Sequence, residues 1–313
     1  MQRADRGAVL DLLEHAFGIR ELFERYMDFD PEFAYGDFLL ALDGDAPVAC
    51  VQVFAKTIRL RGRAVRLGGI GSVATHASQR GGGLASDLLE RALERMRARG
   101  MAISLLFAAP VAPLYERLGW RKIPAPLLRL SRARPDAAPA AAVRPFTAAD
   151  LERVSALYDA FVAPLSGPTV RDARYWRGQL RTAGTPSERF LLCERASALD
   201  AYLRCASFNG RLRALEYARA PGGAESLAAL LAGAASGERA LYVPFVRDAE
   251  LADALERRGI AIGLAADPSP MWRVLDRGSL AEIAALPGST SDAQLLDALI
   301  VRPPATYWTS DRF

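Results

Sequence analysis

Residues 75–85 read Thr75-His76-Ala77-Ser78-Gln79-Arg80-Gly81-Gly82-Gly83-Leu84-Ala85, and this stretch decides the fold. Three consecutive glycines belong to neither of the regular elements beside them. Upstream, residues 63–75 read as a strand. Downstream, residues 84–99 carry Leu84, Leu88, Leu89, Ala92, Leu93 and Met96 at helical spacing, with Gly100 where a left-handed C-terminal cap belongs. The order is strand, glycine bend, helix. Glycine lets main-chain N–H groups turn inward and lets a ligand approach the backbone closely. The first turn of the helix adds unpaired N–H groups and a partial positive charge. Together they form a cradle for an anion such as a pyrophosphate, with Arg80 as a cation at its rim.

Amphipathic helices at 4–17 and 19–27 open the chain. Strands at 36–42, 47–60 and 63–75, joined by turns at Asp43-Gly44-Asp45 and Gly62, lead to the bend. Residues 101–107 are apolar on both faces, as a buried parallel strand is. A short helix (111–118), Gly119 and a strand (122–130) follow. Residues 133–143, rich in Ala and Pro, read as a linker. The pattern then restarts: helices at 148–161 and 170–180, strands at 189–194, 199–207 and 212–218, a loop at 219–223, a helix at 224–235, a strand at 240–246, a helix at 248–258 and a strand at 260–265. The same order twice marks an internal duplication. Residues 114–120 (LYERLGW) lie over 254–260 (ALERRGI), with Glu, Arg and Gly coinciding. The expected division is 1–132, a linker at 133–143, a second unit at 144–270 and a C-terminal appendage at 271–313. The fold class is α/β, with mixed sheets of the α+β kind.

Two common phosphate-binding loops are excluded. A dinucleotide fold needs Gly-x-Gly-x-x-Gly after the first strand of a parallel sheet, and here antiparallel hairpins come first. A nucleotide P-loop needs Lys-Ser/Thr after the glycines, and here Leu84-Ala85 follow. What remains resembles the GCN5-related N-acetyltransferase (GNAT) superfamily. Its signature, Arg/Gln-x-x-Gly-x-Gly/Ala at the start of the central helix, is met by Arg80 to Ala85. The longer form, Val-x-Pro-x-x-Arg-Gly-x-Gly, is met in part, with Thr75 in place of Val and Ala77 in place of Pro. Tyr115-Glu116-Arg117-Leu118-Gly119-Trp120 is similar to the superfamily's Tyr-x-x-x-Gly-Phe/Tyr. The resemblance covers residues 1 to about 130 and implies acetyl-CoA as co-substrate. Main-chain groups of Val73, Ala74 and Thr75 would hold the pantetheine arm and polarise the acetyl carbonyl. N–H groups of Arg80, Gly81, Gly82, Gly83, Leu84 and Ala85 would hold the pyrophosphate. Tyr115 would protonate the departing thiolate. The chemistry is consistent with these roles, because an oxyanion needs aimed donors and a thiolate leaving group benefits from a nearby phenol.

The whole-chain layout resembles the Eis (enhanced intracellular survival) group of acetyltransferases: a functional first fold, a degenerate second one and a C-terminal extension. In the second copy the loop is Arg219-Ala220-Pro221-Gly222-Gly223, where Pro221 deletes an N–H group, and Leu255 stands at the tyrosine position. The second copy is therefore expected to serve as a wall. Enzymes of that group use a C-terminal phenylalanine carboxylate as the base, and this chain ends in Phe313. The extension here is much shorter than that group's third domain. The resemblance implies that the base is the Phe313 carboxylate, or else an acidic side chain. The resemblance also implies a homo-oligomer.

Asp28, Asp30 and Glu32 fall where the superfamily lines its acceptor slot, and carboxylates there would attract a cationic amine. His76 follows the key strand and reads as a surface or backbone-bonded residue rather than a base. The acceptor is expected to be a primary amine on a small molecule or peptide. The alternative is a non-catalytic acyl-CoA-binding sensor or scaffold.

Composition agrees. The 313 residues are 51% apolar and 24% charged, enough for about two cores. The three cysteines (Cys50, Cys193, Cys205) are too scattered for a disulfide framework, which points to a reducing cytoplasm. His15 and His76 are the only histidines and have no Cys at ligand spacing, so no metal site is expected. The net charge of +4 comes almost wholly from dispersed arginines, which speaks against a nucleic-acid partner. The longest apolar stretch, around 227–235, is far short of the roughly 20 residues a bilayer span needs, so no membrane role is expected.

Overall fold

A computed structural model describes residues 1–108, 111–132, 143–182, 187–208 and 210–313. The first unit opens with helices α1 (Arg6–Phe17) and α2 (Arg20–Phe29). Strands β1 (Phe38–Asp43), β2 (Ala46–Leu60) and β3 (Arg63–Thr75) follow as antiparallel neighbours. The β2–β3 hairpin turns through Arg61 (φ 47°) and Gly62 (φ 78°). Two positive φ angles match the right-handed twist of the strands they join. Helix α3 (Leu84–Ala98) buries Leu88, Leu89, Ala92, Leu93 and Met96 against the sheet, the face its spacing predicts. Then come β4 (Ile103–Phe107), α4 (Ala112–Arg117), β5 (Arg121–Lys122) and β6 (Ala125–Arg132). As expected, β4 is parallel to β3.

The second unit repeats the order with β7 (Val143–Pro145), α5 (Leu151–Val162), α6 (Ala173–Thr182), β8 (Arg189–Arg195), β9 (Ala198–Phe208), β10 (Arg211–Arg219), α7 (Ala224–Ala234), β11 (Leu241–Pro244), α8 (Ala249–Arg257) and β12 (Ile260–Asp267). The tail adds β13 (Pro270–Val274), α9 (Arg277–Ala284) and α10 (Asp292–Leu296). All but Val143 of the expected linker lies outside the described residues, and Val143 begins β7.

The sheets run β1-β2-β3-β4-β13-β5 and β12-β6-β11-β10-β9-β8-β7. Two strands therefore cross the expected division. β6, read as the last strand of the first unit, pairs with β12 from Ala125↔Asp267 to Arg132↔Ile260 and with β11, and its Leu130 lies in the second core. β13, read as part of an appendage, takes the place beside β4, with Met271↔Leu106 and Trp272↔Leu105. Periodicity identifies a strand and its buried face, but not the sheet that receives it. A third difference lies at α6, which starts at Ala173 rather than 170. Residues 167–170 run instead along β2, where the Val170 N–H donates to the Thr57 carbonyl (2.8 Å) and the Arg59 N–H to the Pro168 carbonyl (2.9 Å).

The tail is not a loose extension. Leu280, Leu295, Leu299 and Tyr307 pack with Ile58, Leu67 and Trp272 on the first sheet, while Trp308 is fully buried in the core of the second. Among the described residues no helix is long and apolar enough to cross a membrane.

Candidate active site

Parallel pairing of β3 with β4 stops at Ile70↔Leu106. Beyond it, β3 runs on through Gly71, Ser72, Val73, Ala74 and Thr75 without β4 beside it. A bulge falls where Ser72 takes φ 50°, fixed by its hydroxyl donating to Gln52 Oε1 (2.8 Å). The two strands thus open at the end that points to the glycine bend.

The bend itself is open. Gly81 (φ 84°) and Gly83 (φ 86°) occupy the left-handed region, so glycine is needed there for backbone geometry. A Cβ on either would meet nothing within 4 Å, and Gly81, Gly82 and Gly83 are all exposed. Gly83 is the N-cap of α3 and supplies no side-chain acceptor, so the first N–H groups of the helix keep their positive end free for an anion. Arg80 ties the bend to the strand by donating from Nε to the Thr75 carbonyl (3.2 Å).

Tyr115 lies on α4, 6% exposed, in one apolar cluster with Val73 and Leu84. Its ring meets Trp120 edge-on at 6.1 Å. Trp120 is held in turn by Nε1 donating to Ser104 Oγ (3.2 Å), whose hydroxyl donates to the Gly68 carbonyl (2.7 Å). Desolvation pushes the Tyr115 phenol up to about 12. It therefore stays protonated at any ordinary assay pH.

Phe313 reaches β3 in spite of the short tail. Its ring stacks on Phe54 (5.0 Å) and packs against Phe107 (5.6 Å). A Cβ on Gly69 would overlap that ring, and one on Gly71 would lie 3.4 Å from the Phe313 carboxyl carbon. The C-terminal carboxyl thus sits over Gly71, two residues before Val73. A buried network holds it there. Arg171 donates to Glu216 Oε2 (2.7 Å), Ser310 Oγ (3.1 Å) and Asp311 Oδ2 (2.8 Å), Tyr175 donates to Asp311 Oδ1 (3.1 Å), and Gln179 Nε2 donates to the Ser310 carbonyl (2.9 Å).

The three acidic residues expected in the acceptor slot are not gathered round one cavity. Asp28 pairs with Arg6 (2.8 Å). Asp30 is buried and accepts from Lys56 Nζ through both oxygens (3.1 and 3.0 Å). Glu32 lines a separate cavity, with Arg66 and Asp172 among its other walls. His76 hydrogen-bonds Ser78 through Nδ1 (2.8 Å) and stacks on His15. Arg171, Tyr175 and Gln179 gave no signal in the sequence, because they meet the tail only after 100 or more residues of intervening chain.

In the second unit the corresponding bend is filled. A Cβ on Gly223 would run into the Asp200 and Ala220 carbonyl oxygens, and Leu255 at the tyrosine position is fully buried.

Residues 1–123 match the family model of the acetyltransferase (GNAT) domain. None of the curated proteins matches the sequence significantly. Among solved structures, the chain is similar to a GCN5-related N-acetyltransferase from Kribbella flavida, at 23% identity and a TM-score of 0.69, over 90% of this chain and 72% of that one. It is similar to a GCN5-related N-acetyltransferase from Anabaena variabilis, at 17% identity and a TM-score of 0.70, over 90% and 73%. It is also similar to Eis1 from Mycobacterium abscessus, at 17% identity and a TM-score of 0.62, over 90% and 74%. The sequence match over residues 1–123 and the shared fold over nine-tenths of the chain show a chain built as tandem GNAT folds, the first of which matches the GNAT domain model.

Proposed function

We propose that the protein is an acetyl-CoA-dependent N-acetyltransferase that acetylates a primary amine by direct attack on the thioester. The observation that carries this reading is the open, uncapped glycine bend at the mouth of the β3–β4 opening. The residues present suit coenzyme A: backbone donors at 80–85 for its diphosphate and the free edge of β3 for its pantetheine arm. Bound acetyl-CoA would supply the activated acyl group. Tyr115 holds a proton beside that opening, in a dry setting that keeps the phenol neutral. The Phe313 carboxylate, over Gly71, is the group placed to take a proton from an incoming ammonium. The second unit contributes a wall and the anchor for the tail.

Titration calorimetry tests the cradle. Acetyl-CoA is expected to bind the wild type at micromolar concentration. Gly83→Val is expected to weaken binding at least about 10-fold, because a side chain in the left-handed region strains the bend by about 1–2 kcal/mol and crowds the approach. No binding at high micromolar concentration would defeat the proposal.

Gly69→Ala tests the tail. The new methyl overlaps the Phe313 ring and displaces it from its stack on Phe54, while the tail stays anchored upstream at Ser310 and Asp311. Stability is expected to change by no more than about 2 kcal/mol, while kcat falls about 10²-fold through loss of the base. An unchanged kcat would remove Phe313 from the mechanism.

A further inference from the structure

We infer that Gln52, Ser72 and Cys50 are positioning residues for acyl transfer: they lock a bulge in β3 and so aim the Val73 N–H at the acyl carbonyl. The inference rests on the acetyltransferase reading above and adds residues to the same site.

Strand β3 changes register against β2 at one place. Gly71 faces Gln52 and Ala74 faces Cys50, so Ser72 and Val73 lie opposite the single residue Val51. β4 gives them no partner either, because its last pair with β3 is Ile70↔Leu106. Ser72 and Val73 are thus without a register partner on both neighbouring strands. Bulges re-aim the chain in this way beside active sites, and a developing oxyanion needs fixed donors outside a ladder. The place fits. The Phe313 carboxyl lies over Gly71, just before the bulge, and Val73 shares an apolar cluster with Tyr115. The bulge sits between the group placed to take a proton and the group placed to give one.

The bulge does not hold its shape unaided. Ser72 takes φ 50°, in the left-handed region, which is unfavourable for any residue with a side chain. Two buried hydrogen bonds offset this. The Ser72 hydroxyl donates to Gln52 Oε1 (2.8 Å), and the Ser72 carbonyl accepts from the Cys50 thiol (3.2 Å). Burial pushes that thiol up to about 12, so it keeps the proton it donates. Gln52 and Cys50 are a firm reference, since β2 is also paired with β1 there, through Phe38↔Gln52 and Leu40↔Cys50. The peptide unit between Ser72 and Val73 is planar, with its C=O and N–H pointing in opposite directions. A Ser72 carbonyl held by Cys50 on β2 therefore turns the Val73 N–H away from β2, to the side of β3 where β4 has ended.

The test uses Gln52→Met, which removes the acceptor, and Ser72→Ala, which removes the hydroxyl. Each is expected to lower kcat about 10–100-fold, approaching the loss of one oxyanion donor. Acetyl-CoA affinity by calorimetry is expected to stay near wild type, because the glycine bend is untouched, and this also shows that the variants are folded. The double variant is expected to be no slower than the slower single one, since both changes break one hydrogen bond. Ser72→Gly is expected to lose less rate than Ser72→Ala, because glycine holds a positive φ without help; a hydroxyl that only filled space would give the reverse order. A readout independent of turnover is the infrared carbonyl stretch of acetyl-CoA, isotope-labelled at the acetyl carbonyl and bound without acceptor. It is expected to lie below the free frequency on the wild type and to return toward it on Gln52→Met. A wild-type kcat in Gln52→Met, an unmoved carbonyl frequency, or Ser72→Gly slower than Ser72→Ala overturns the inference and leaves the acetyltransferase reading standing. Failure of acetyl-CoA to bind the wild type overturns both.

Discussion

Tyr115→Phe is expected to lower kcat about 10²–10⁴-fold, the range that one positioned general acid contributes. Acetyl-CoA affinity and the unfolding midpoint are expected to stay close to wild type. The ring fills the same space against Trp120, and the substitution removes only the hydroxyl. The phenol suits a proton donor for a specific reason. Desolvation by the cluster of Val73, Leu84 and Trp120 raises its pKa to about 12. A group with that pKa is about 99% protonated at pH 10. The wild-type rate is therefore expected to climb as the acceptor amine loses its proton and to show no alkaline decline from Tyr115 below about pH 10. Steady-state kinetics across pH on both proteins checks this. A Phe variant that turns over at the wild-type rate removes Tyr115 from the mechanism as general acid.

The glycine bend was legible in the sequence because it is local. Residues 63–99 hold a strand, a bend and a helix in register, and glycine at 81 and 83 answers to backbone angles that no other residue adopts cheaply. Tyr115 was legible through its spacing to Gly119 and Trp120. The acceptor side was not, because it is assembled from distant parts. Asp28, Asp30 and Glu32 looked like a slot, yet Lys56 and Arg6 neutralise two of them from across the fold. The strand exchange was hidden for the same reason: β6 and β13 each have the pattern of a strand, but the choice of sheet depends on the shape of two finished cores.

Arg171→Met is expected to destabilise the protein by about 3–5 kcal/mol, the usual cost of removing one partner from a buried ion pair. The Arg171 side chain is fully buried, as are those of Glu216 and Asp311. Methionine keeps the contacts with Tyr158 and Trp176, which the guanidinium overlies at 4.2 and 4.4 Å, but leaves two carboxylates without their shared cation. The sign with pH follows from Glu216. Burial acts to raise its pKa, but Arg171 and Arg204 outweigh burial and hold it at about 2, below the ordinary 4.5. A depressed carboxyl stabilises the fold above its unfolded pKa and loses that contribution as pH falls through the folded one. The deficit of the variant is therefore expected to be full above about pH 4.5 and to narrow toward pH 2, where the wild type loses the pairing too. Urea unfolding at a series of pH values measures it. The same substitution loosens the tail, since Asp311 loses the cation that joins it to Glu216 on β10, although Ser310 keeps its own hydrogen bond to Glu216. Carboxypeptidase is expected to remove Phe313 from the variant at least about 10-fold faster, in line with a local opening made about 1.4 kcal/mol easier. The kcat is expected to fall with it. A variant that keeps its tail protected and its rate intact would show that the core of the second unit, through Trp308, is enough to hold the C-terminus on β3.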